Sequence, residues 1–152
     1  MKLWKLLSGL VIGASLLASA QAQERATQAE ASALVDAAVA LVAKLGVEKA
    51  AAELTNDAKW RAKGTSIFLQ DNKGNCLAHS TNAKLVGKNT LEIKDPSGKA
   101  FIKEMTDLAA GKGTGWVSYE FADPIEKKIT ARVAYVKKVP GFDGFVGGAT
   151  VK

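Results

Sequence analysis

Few side chains in this sequence are of the types that do chemistry, and their spacing does not suit catalysis. The 152 residues include one histidine, His79, and one cysteine, Cys76. A nucleophilic triad or a metal site needs several such groups together. Gly111, Gly113 and Gly115 precede a predicted strand, whereas a phosphate-binding loop precedes a helix. The sequence therefore predicts no catalytic residue, no metal site and no cofactor.

The single cysteine has two interpretations. One cysteine cannot form an intramolecular disulfide, so the domain must depend on its hydrophobic core. We expect Cys76 to be a small buried apolar residue. The alternative is an intermolecular disulfide formed in an oxidising compartment.

Arg132 lies in the middle of a predicted strand, between Ala131 and Val133. A buried charge without a partner is costly, so a guanidinium inside a sheet needs one. A ligand carboxylate bound through two parallel hydrogen bonds would be such a partner. In the other interpretation Arg132 is an exposed strand residue beside Glu120 of the neighbouring strand. The sequence leaves both open.

Three aromatic residues on the predicted strands are further candidates for a ligand site. Trp116 and Tyr119 point to opposite faces of one strand because side chains alternate, so only one of them can line a pocket directly. Tyr135 shares its face with Val133 and not with Arg132. Aromatic residues on strands belong more often to a core than to a ligand site.

The elements that position these side chains begin with helices. Residues 24–45 are rich in alanine, lack proline and glycine, and carry apolar residues at helical spacing, which predicts one long helix. A short second helix is predicted for residues 47–54. The pattern then changes to strands, with a hairpin at the turn 71–74. The predicted strands cover residues 65–70, 75–79, 115–121, 128–138 and 145–151, with a helix from 101 to 111.

This order of elements predicts an α+β fold. Strands joined by short turns are antiparallel, so five of them form one antiparallel sheet. The long N-terminal helix packs on one face, and the helical insert at residues 80–112 covers part of the other. A cavity between the sheet and the insert is a natural place for a small ligand.

The first 22 residues have the pattern of a cleavable secretory signal peptide. Lys2 and Lys5 precede an uncharged, mostly apolar stretch over residues 6–20, and Ala20-Gln21-Ala22 places small residues at the cleavage positions. The alternative is a retained membrane anchor, but an apolar stretch this short falls below the ~20 residues of a spanning helix. We therefore predict cleavage after Ala22, a periplasmic location and one domain over residues 23–152.

The charge of the remaining chain excludes one class of partner. The net charge of +6 becomes +4 once the two lysines of the signal segment are lost. Basic residues are scattered among acids, whereas a nucleic-acid site needs a clustered basic face. We expect no nucleic-acid partner.

Five short motifs, in their order and spacing, resemble the single Cache domain family of the second type over roughly residues 32–150. The motifs are Leu-Ala-His at 77–79, Leu-Val-Gly-Lys-Asn at 85–89, Asp-Pro-Ser-Gly-Lys at 95–99, Gly-Thr-Gly-Trp-Val-Ser-Tyr at 113–119 and Ala-Tyr-Val-Lys-Lys-Val at 134–139. The resemblance implies a PAS-like fold and extracytoplasmic sensing of small metabolites, frequently carboxylates. Members serve as sensors of chemoreceptors and histidine kinases, and some are freestanding exported proteins.

The resemblance also implies roles for particular residues. His79 would face the pocket, where its imidazole can donate to a carboxylate. Trp60 and Arg61 would border the pocket mouth.

This sequence departs from the family pattern at several positions that bear on ligand identity rather than on fold. Ser80 stands where the family usually has proline, and Thr65-Ser66 stand where it has tyrosine. Arg132 replaces a lysine, and Phe121 replaces a tryptophan.

Two functions follow. The first is a periplasmic binding module of sensor type, not an enzyme, that takes a small organic carboxylate and acts through a membrane receptor or transporter. The second is a protein-interaction or structural domain with a degenerate pocket, which would form a homodimer through an exposed apolar surface such as one on the long helix.

Overall fold

A computed structural model describes residues 23–152, so the predicted signal peptide lies outside the described residues. One five-stranded antiparallel sheet carries helices on both faces, which confirms the predicted α+β architecture. The helices are α1 (Gln28–Leu45), α2 (Val47–Asn56) and α3 (Phe101–Gly111). The strands are β1 (Ser66–Asp71), β2 (Cys76–His79), β3 (Thr114–Ala122), β4 (Ile129–Lys138) and β5 (Gly144–Val151). Short 3-10 segments cover Ala58–Gly64 and Ala83–Leu85.

The long helix begins later than predicted. Thr27 and Glu30 form a capping box: the Thr27 hydroxyl accepts the Glu30 N–H at 3.1 Å, and the Glu30 carboxylate accepts the Thr27 N–H at 2.8 Å. This reciprocal pair satisfies two N–H groups that a helix start leaves unpaired. Residues 24–27 are therefore a non-helical segment that precedes α1.

The strands lie in the order β2-β1-β5-β4-β3, and every neighbouring pair is antiparallel. The predicted β1–β2 hairpin is confirmed. The Asp71 carboxylate holds its turn by accepting the N–H groups of Lys73 and Asn75, both at 2.9 Å.

The two faces of the sheet pack against different helices. On one face α1 and α2 cover an apolar cluster that includes Val35, Ala38, Leu54, Ile67 and Leu69. On the other face α3 covers a second cluster that includes Phe68, Met105, Val117, Val136 and Phe145. Because side chains alternate along a strand, the central strands β1 and β5 contribute to both clusters.

Candidate functional site

Two adjoining cavities lie on the α3 face, between the sheet and the insert, and share His79, Tyr119 and Phe121. The smaller has a volume of about 30 Å³ and is mostly apolar, with Phe68, Leu85, Ile93, Phe101 and Ile102 in its wall. The larger has a volume of about 200 Å³, and its wall is more polar, with Ser66, Thr81, Asn82, Asp123, Lys127 and Arg132. Together they offer an apolar end and a polar, cationic end.

His79 stands at the junction of the two cavities, at the end of β2. Its Nδ1 accepts the backbone N–H of Asn82 at 3.1 Å and lies 3.4 Å from the N–H of Thr81. An Nδ1 that accepts carries no proton, so we assign the neutral tautomer with the proton on Nε2. Among residues 23–152 the ring's hydrogen bonds all involve Nδ1, which leaves the Nε2–H available to a ligand.

The environment of His79 keeps it neutral. Burial and, to a lesser degree, the positive charge of Arg132 lower the pKa of His79 to about 4. The Phe68 ring stacks on the imidazole, with ring centroids 5.8 Å apart and an interplanar angle of 17°. His79 is therefore a fixed, uncharged hydrogen-bond donor at neutral pH.

Arg132 is buried, with 1% of its surface exposed, and the interpretation as an exposed residue beside Glu120 is wrong. In the β3–β4 register Arg132 lies opposite Tyr119, and Glu120 lies opposite Ala131. Residues directly opposite each other on neighbouring strands point to the same face, so Arg132 faces the cavity together with Tyr119.

The guanidinium of Arg132 already has partners within the protein. Its Nη1 donates to Asp123 Oδ2 at 3.1 Å, and its Nη2 donates to the carbonyl oxygens of Ala149 at 3.1 Å and Gly64 at 3.3 Å. These contacts offset the cost of burying its charge. Arg132 contributes a fixed positive charge to the cavity wall, with few donors left free.

Asp123 is the counter-ion of Arg132, and its side chain is fully buried. Burial alone would raise the pKa of Asp123. The hydrogen bond from Arg25 and those from the Glu126 and Ile125 backbone N–H groups outweigh burial and lower that pKa to about 2. Asp123 is therefore ionised throughout the neutral and mildly acidic range.

Tyr119 completes the polar part of the site from β3. Its ring stacks on Phe101, with centroids 4.5 Å apart and an interplanar angle of 13°. Burial raises the pKa of Tyr119, against an opposing effect of the Arg132 charge, so the phenol is neutral. The Arg132 guanidinium is a hydrogen-bond partner of the phenol oxygen, and the hydroxyl can still donate its own proton.

The structure brings three of the predicted site residues together, His79, Arg132 and Tyr119, and places the other four elsewhere. Trp116 and Tyr135 pack on each other at 5.1 Å on the opposite face of the sheet, as the alternation of β3 and β4 requires. Trp60 is buried in the cluster under α1 and α2, and Arg61 is exposed. None of these four residues lines either cavity.

Several wall residues were not predicted from the sequence. No sequence pattern singled out Asp123, Lys127, Thr81 or Asn82 as part of a site. Phe121 could have been found, because it lies two residues from Tyr119 on one strand and therefore shares its face.

Two departures from the family pattern have local explanations. The Ser80 hydroxyl accepts the N–H of Ile67 at 2.9 Å, a hydrogen bond that a proline could not make. Ser66 lines the larger cavity, and its hydroxyl lies 2.8 Å from that of Thr81. A serine in place of a tyrosine leaves space at this end of the cavity.

Cys76 is fully buried, as expected for a small apolar residue, and burial raises the pKa of its thiol to about 11.

Within residues 23–152 no helix is both long and apolar enough to cross a bilayer.

Similar solved structures come from chemotaxis and chemosensory proteins. A methyl-accepting chemotaxis protein from Vibrio parahaemolyticus RIMD 2210633 superposes with a TM-score of 0.67 and 22% identity, covering 79% of this chain and 84% of that one. The periplasmic sensor domain of a chemotaxis protein superposes with a TM-score of 0.65 and 26% identity, covering 82% of this chain and 94% of that one. A Cache chemosensory domain studied for carboxylic acid recognition superposes with a TM-score of 0.64 and 24% identity, covering 80% of this chain and 85% of that one. The likenesses at 22% and 24% identity establish the fold.

The family comparison covers nearly the whole chain. The sequence matches the family Single Cache domain 2 over residues 16–150, a match that begins within the predicted signal segment. The resemblance found in the five motifs is thus confirmed. One structural neighbour is the periplasmic sensor domain of a chemotaxis protein, and the chain itself belongs to the Single Cache domain 2 family.

Proposed function

We propose that this protein binds a small organic carboxylate in the two adjoining cavities on the α3 face of the sheet. The observation that carries the proposal is the pair of neutral donors, His79 Nε2–H and the Tyr119 hydroxyl, in a cavity whose wall also holds Arg132. Neutral donors beside a fixed positive charge suit an anion with hydrogen-bond acceptors.

The dimensions of the cavities support a ligand of few atoms. Even the larger cavity, about 200 Å³, is below the ~300–1,000 Å³ of a typical small-molecule pocket. The adjoining apolar space of about 30 Å³ holds little more than a methyl group or one water. A carboxylate with a short apolar tail matches this shape.

In this proposal the two kinds of group have different roles. His79 and Tyr119 donate the hydrogen bonds that orient the carboxylate. Arg132 acts mainly through its charge, because Asp123 and two backbone carbonyls already accept its Nη hydrogen bonds. Lys127, exposed on the β3–β4 turn, adds a second positive charge at the rim of the larger cavity. The proposed site has no acid–base pair suited to catalysis.

We further propose that the protein is exported, that residues 1–22 are removed, and that the domain acts through a membrane receptor or transporter. Sequencing the N-terminus of the protein recovered from the periplasm tests the first two points. Gln23 as the first residue is expected, whereas Met1 would indicate a retained anchor.

A thermal-shift screen of the purified protein tests the proposed ligand class. The screen compares small carboxylates with amino acids, amines and purines. A ligand present at 100 times its dissociation constant stabilises the fold by about 2.7 kcal/mol, which raises the melting temperature by several degrees. We expect carboxylates to give this rise and their neutral amides to give a smaller one.

The two tyrosines of the sequence provide a matched pair of variants. Tyr119→Phe removes a hydroxyl in the cavity but keeps the ring stacked on Phe101. Tyr135→Phe removes a hydroxyl on the other face, where it accepts a hydrogen bond from Thr114 Oγ1 at 2.7 Å. The affinity for the carboxylate should fall about tenfold in Tyr119→Phe and stay unchanged in Tyr135→Phe. Equal affinities in the two variants would refute the proposed site.

The alternative function is an interaction or structural domain with a degenerate pocket. It is favoured by the small cavity volumes and by the internal satisfaction of Arg132. This function predicts that no compound raises the melting temperature and that the protein sediments as a dimer. Sedimentation and the thermal-shift screen together separate the two functions.

A further inference from the structure

Arg25 contacts the proposed site from outside its wall. It lies in the non-helical segment before α1, three residues beyond the predicted cleavage position, and it lines neither cavity. Its Nη1 donates to Asp123 Oδ2 at 2.6 Å, and the same carboxylate oxygen accepts Arg132 Nη1 at 3.1 Å. One buried oxygen thus links an arginine of the N-terminal segment to the arginine of the cavity wall.

The local charge balance depends on Arg25. Asp123 and Arg132 alone form a neutral pair, so the carboxylate would cancel the positive charge that the cavity wall offers to an anion. Arg25 adds a second positive charge to that pair and leaves the trio with a net charge of +1. Glu126 lies 3.3 Å from Arg25 Nη2, but it is half exposed and also pairs with Lys128 at 2.8 Å. Solvent therefore screens the Arg25–Glu126 contact more than the contact between Arg25 and the buried Asp123.

The segment that carries Arg25 is fixed to the domain by other contacts. The Ala26 N–H donates to the carbonyl of Lys63 at 3.0 Å, and the Ala26 carbonyl accepts the Thr150 hydroxyl at 2.7 Å. The Lys63 ammonium pairs with Glu24 at 2.9 Å and with Glu30 at 2.6 Å. Arg25 is therefore held in place independently of its own ion pair.

We propose that Arg25 is a specificity-determining residue for the anionic ligand: it neutralises Asp123 and so leaves the positive charge of Arg132 free to act on the cavity. This inference rests on the proposed function in taking the ligand to be an anion. It adds that a residue outside the cavity decides whether the cavity prefers a carboxylate to a neutral molecule. Because Arg25 reaches Asp123 only when residues 24–27 are in place, ligand binding and the ordering of this segment should favour each other.

The single histidine permits a test that needs no ligand. His79 lines the larger cavity together with Tyr119, Asp123, Lys127 and Arg132, so its pKa reports the electrostatic potential there. NMR titration of protein without a histidine tag follows this one imidazole. In Arg25→Gln the carboxylate of Asp123 is less neutralised, and the His79 pKa should rise by about 0.5.

Two further variants make the titration decisive. Arg25→Lys keeps the charge without the guanidinium and should leave the His79 pKa close to that of the unmodified protein. Lys63→Gln removes a positive charge that fixes the same segment but does not touch Asp123, so it should also leave that pKa unchanged. If Arg25→Gln gives the same pKa as Lys63→Gln, the inference is overturned.

Acetate and its neutral isostere acetamide provide the ligand measurement. Arg25→Gln should weaken acetate binding about 3- to 10-fold and leave acetamide binding unchanged, as measured by calorimetry. Equal losses for both would indicate a structural effect and would overturn the inference. If acetate does not bind the unmodified protein, the proposed function fails for this ligand, while the titration of His79 still decides the role of Arg25.

Discussion

The two faces of the sheet have different contents, although the same five strands supply both. The face under α1 and α2 is filled by apolar side chains such as Val35, Leu54 and Leu69, none of them exposed. The face under α3 has an apolar cluster as well, but it also has cavities and a buried ion pair between Asp123 and Arg132. The face under α1 and α2 is a close-packed apolar core, whereas the face under α3 is less completely packed and contains a polar site.

Strand β3 shows how this division arises. Tyr119 faces the cavities, whereas Trp116, three residues earlier, packs on Tyr135 at the opposite face. Successive side chains along a strand point to opposite faces, so the residues of one face can differ in type from those of the other. Changes on the face under α1 and α2 should therefore alter stability without altering binding.

The largest expected effect follows from removing the charge of Asp123. Asp123→Asn keeps the shape of the side chain but leaves Arg132 buried without a counter-ion, which should lower the free energy of unfolding by about 3–5 kcal/mol. Urea denaturation measures this change. The control is Asp36→Asn, which breaks an exposed pair with Lys137 and should change stability little. Similar losses in both variants would mean that the buried pair has no special role.

A truncation on the other face should reduce stability without affecting the site. Leu54 is a fully buried residue of α2, and Leu54→Ala should cost about 2–5 kcal/mol because it leaves a cavity in the apolar cluster. The dissociation constant of a bound carboxylate should not change at temperatures where the variant is folded. A weakened affinity would contradict the separation of the two faces.

A smaller effect concerns pH. The folded-state pKa of His79 is about 4, against an ordinary value of about 6.5, so below pH 6.5 the unfolded chain takes up a proton that the folded protein does not. The free energy of unfolding should therefore fall by about 2 kcal/mol between pH 7 and pH 5 because of this residue alone. His79→Gln should lack this part of the fall. Stability curves that run parallel for the two proteins over this range would show that His79 titrates normally.

Much of the fold could be predicted from local patterns. The turn at residues 71–74, the helix spacing and the strand alternation were sufficient for the architecture, and alternation also separated Trp116 from Tyr119. The start of α1 was placed at residue 24 because residues 24–27 do not interrupt the helical composition. The capping box of Thr27 and Glu30 was present in the sequence and marks the true start.

The site was only partly predictable, for a physical reason. That Arg132 lies opposite Tyr119 depends on the register of β3 and β4, which sequence spacing does not reveal. The contact between Arg25 and Asp123 joins residues 98 positions apart, and only the folded chain brings them together. His79 was identified through its rarity and its motif, whereas the groups that set its tautomer and charge were not.

The most direct test of the account is nitrogen NMR of the His79 side chain during titration with a carboxylate that raises the melting temperature. If the ligand accepts the Nε2–H, the Nε2 resonance should shift on binding, and the nearby negative charge should raise the pKa of His79 above about 4. The Trp116 indole on the other face should not respond. A ligand that stabilises the protein but leaves both the Nε2 resonance and the His79 pKa unchanged would contradict a binding site on the α3 face.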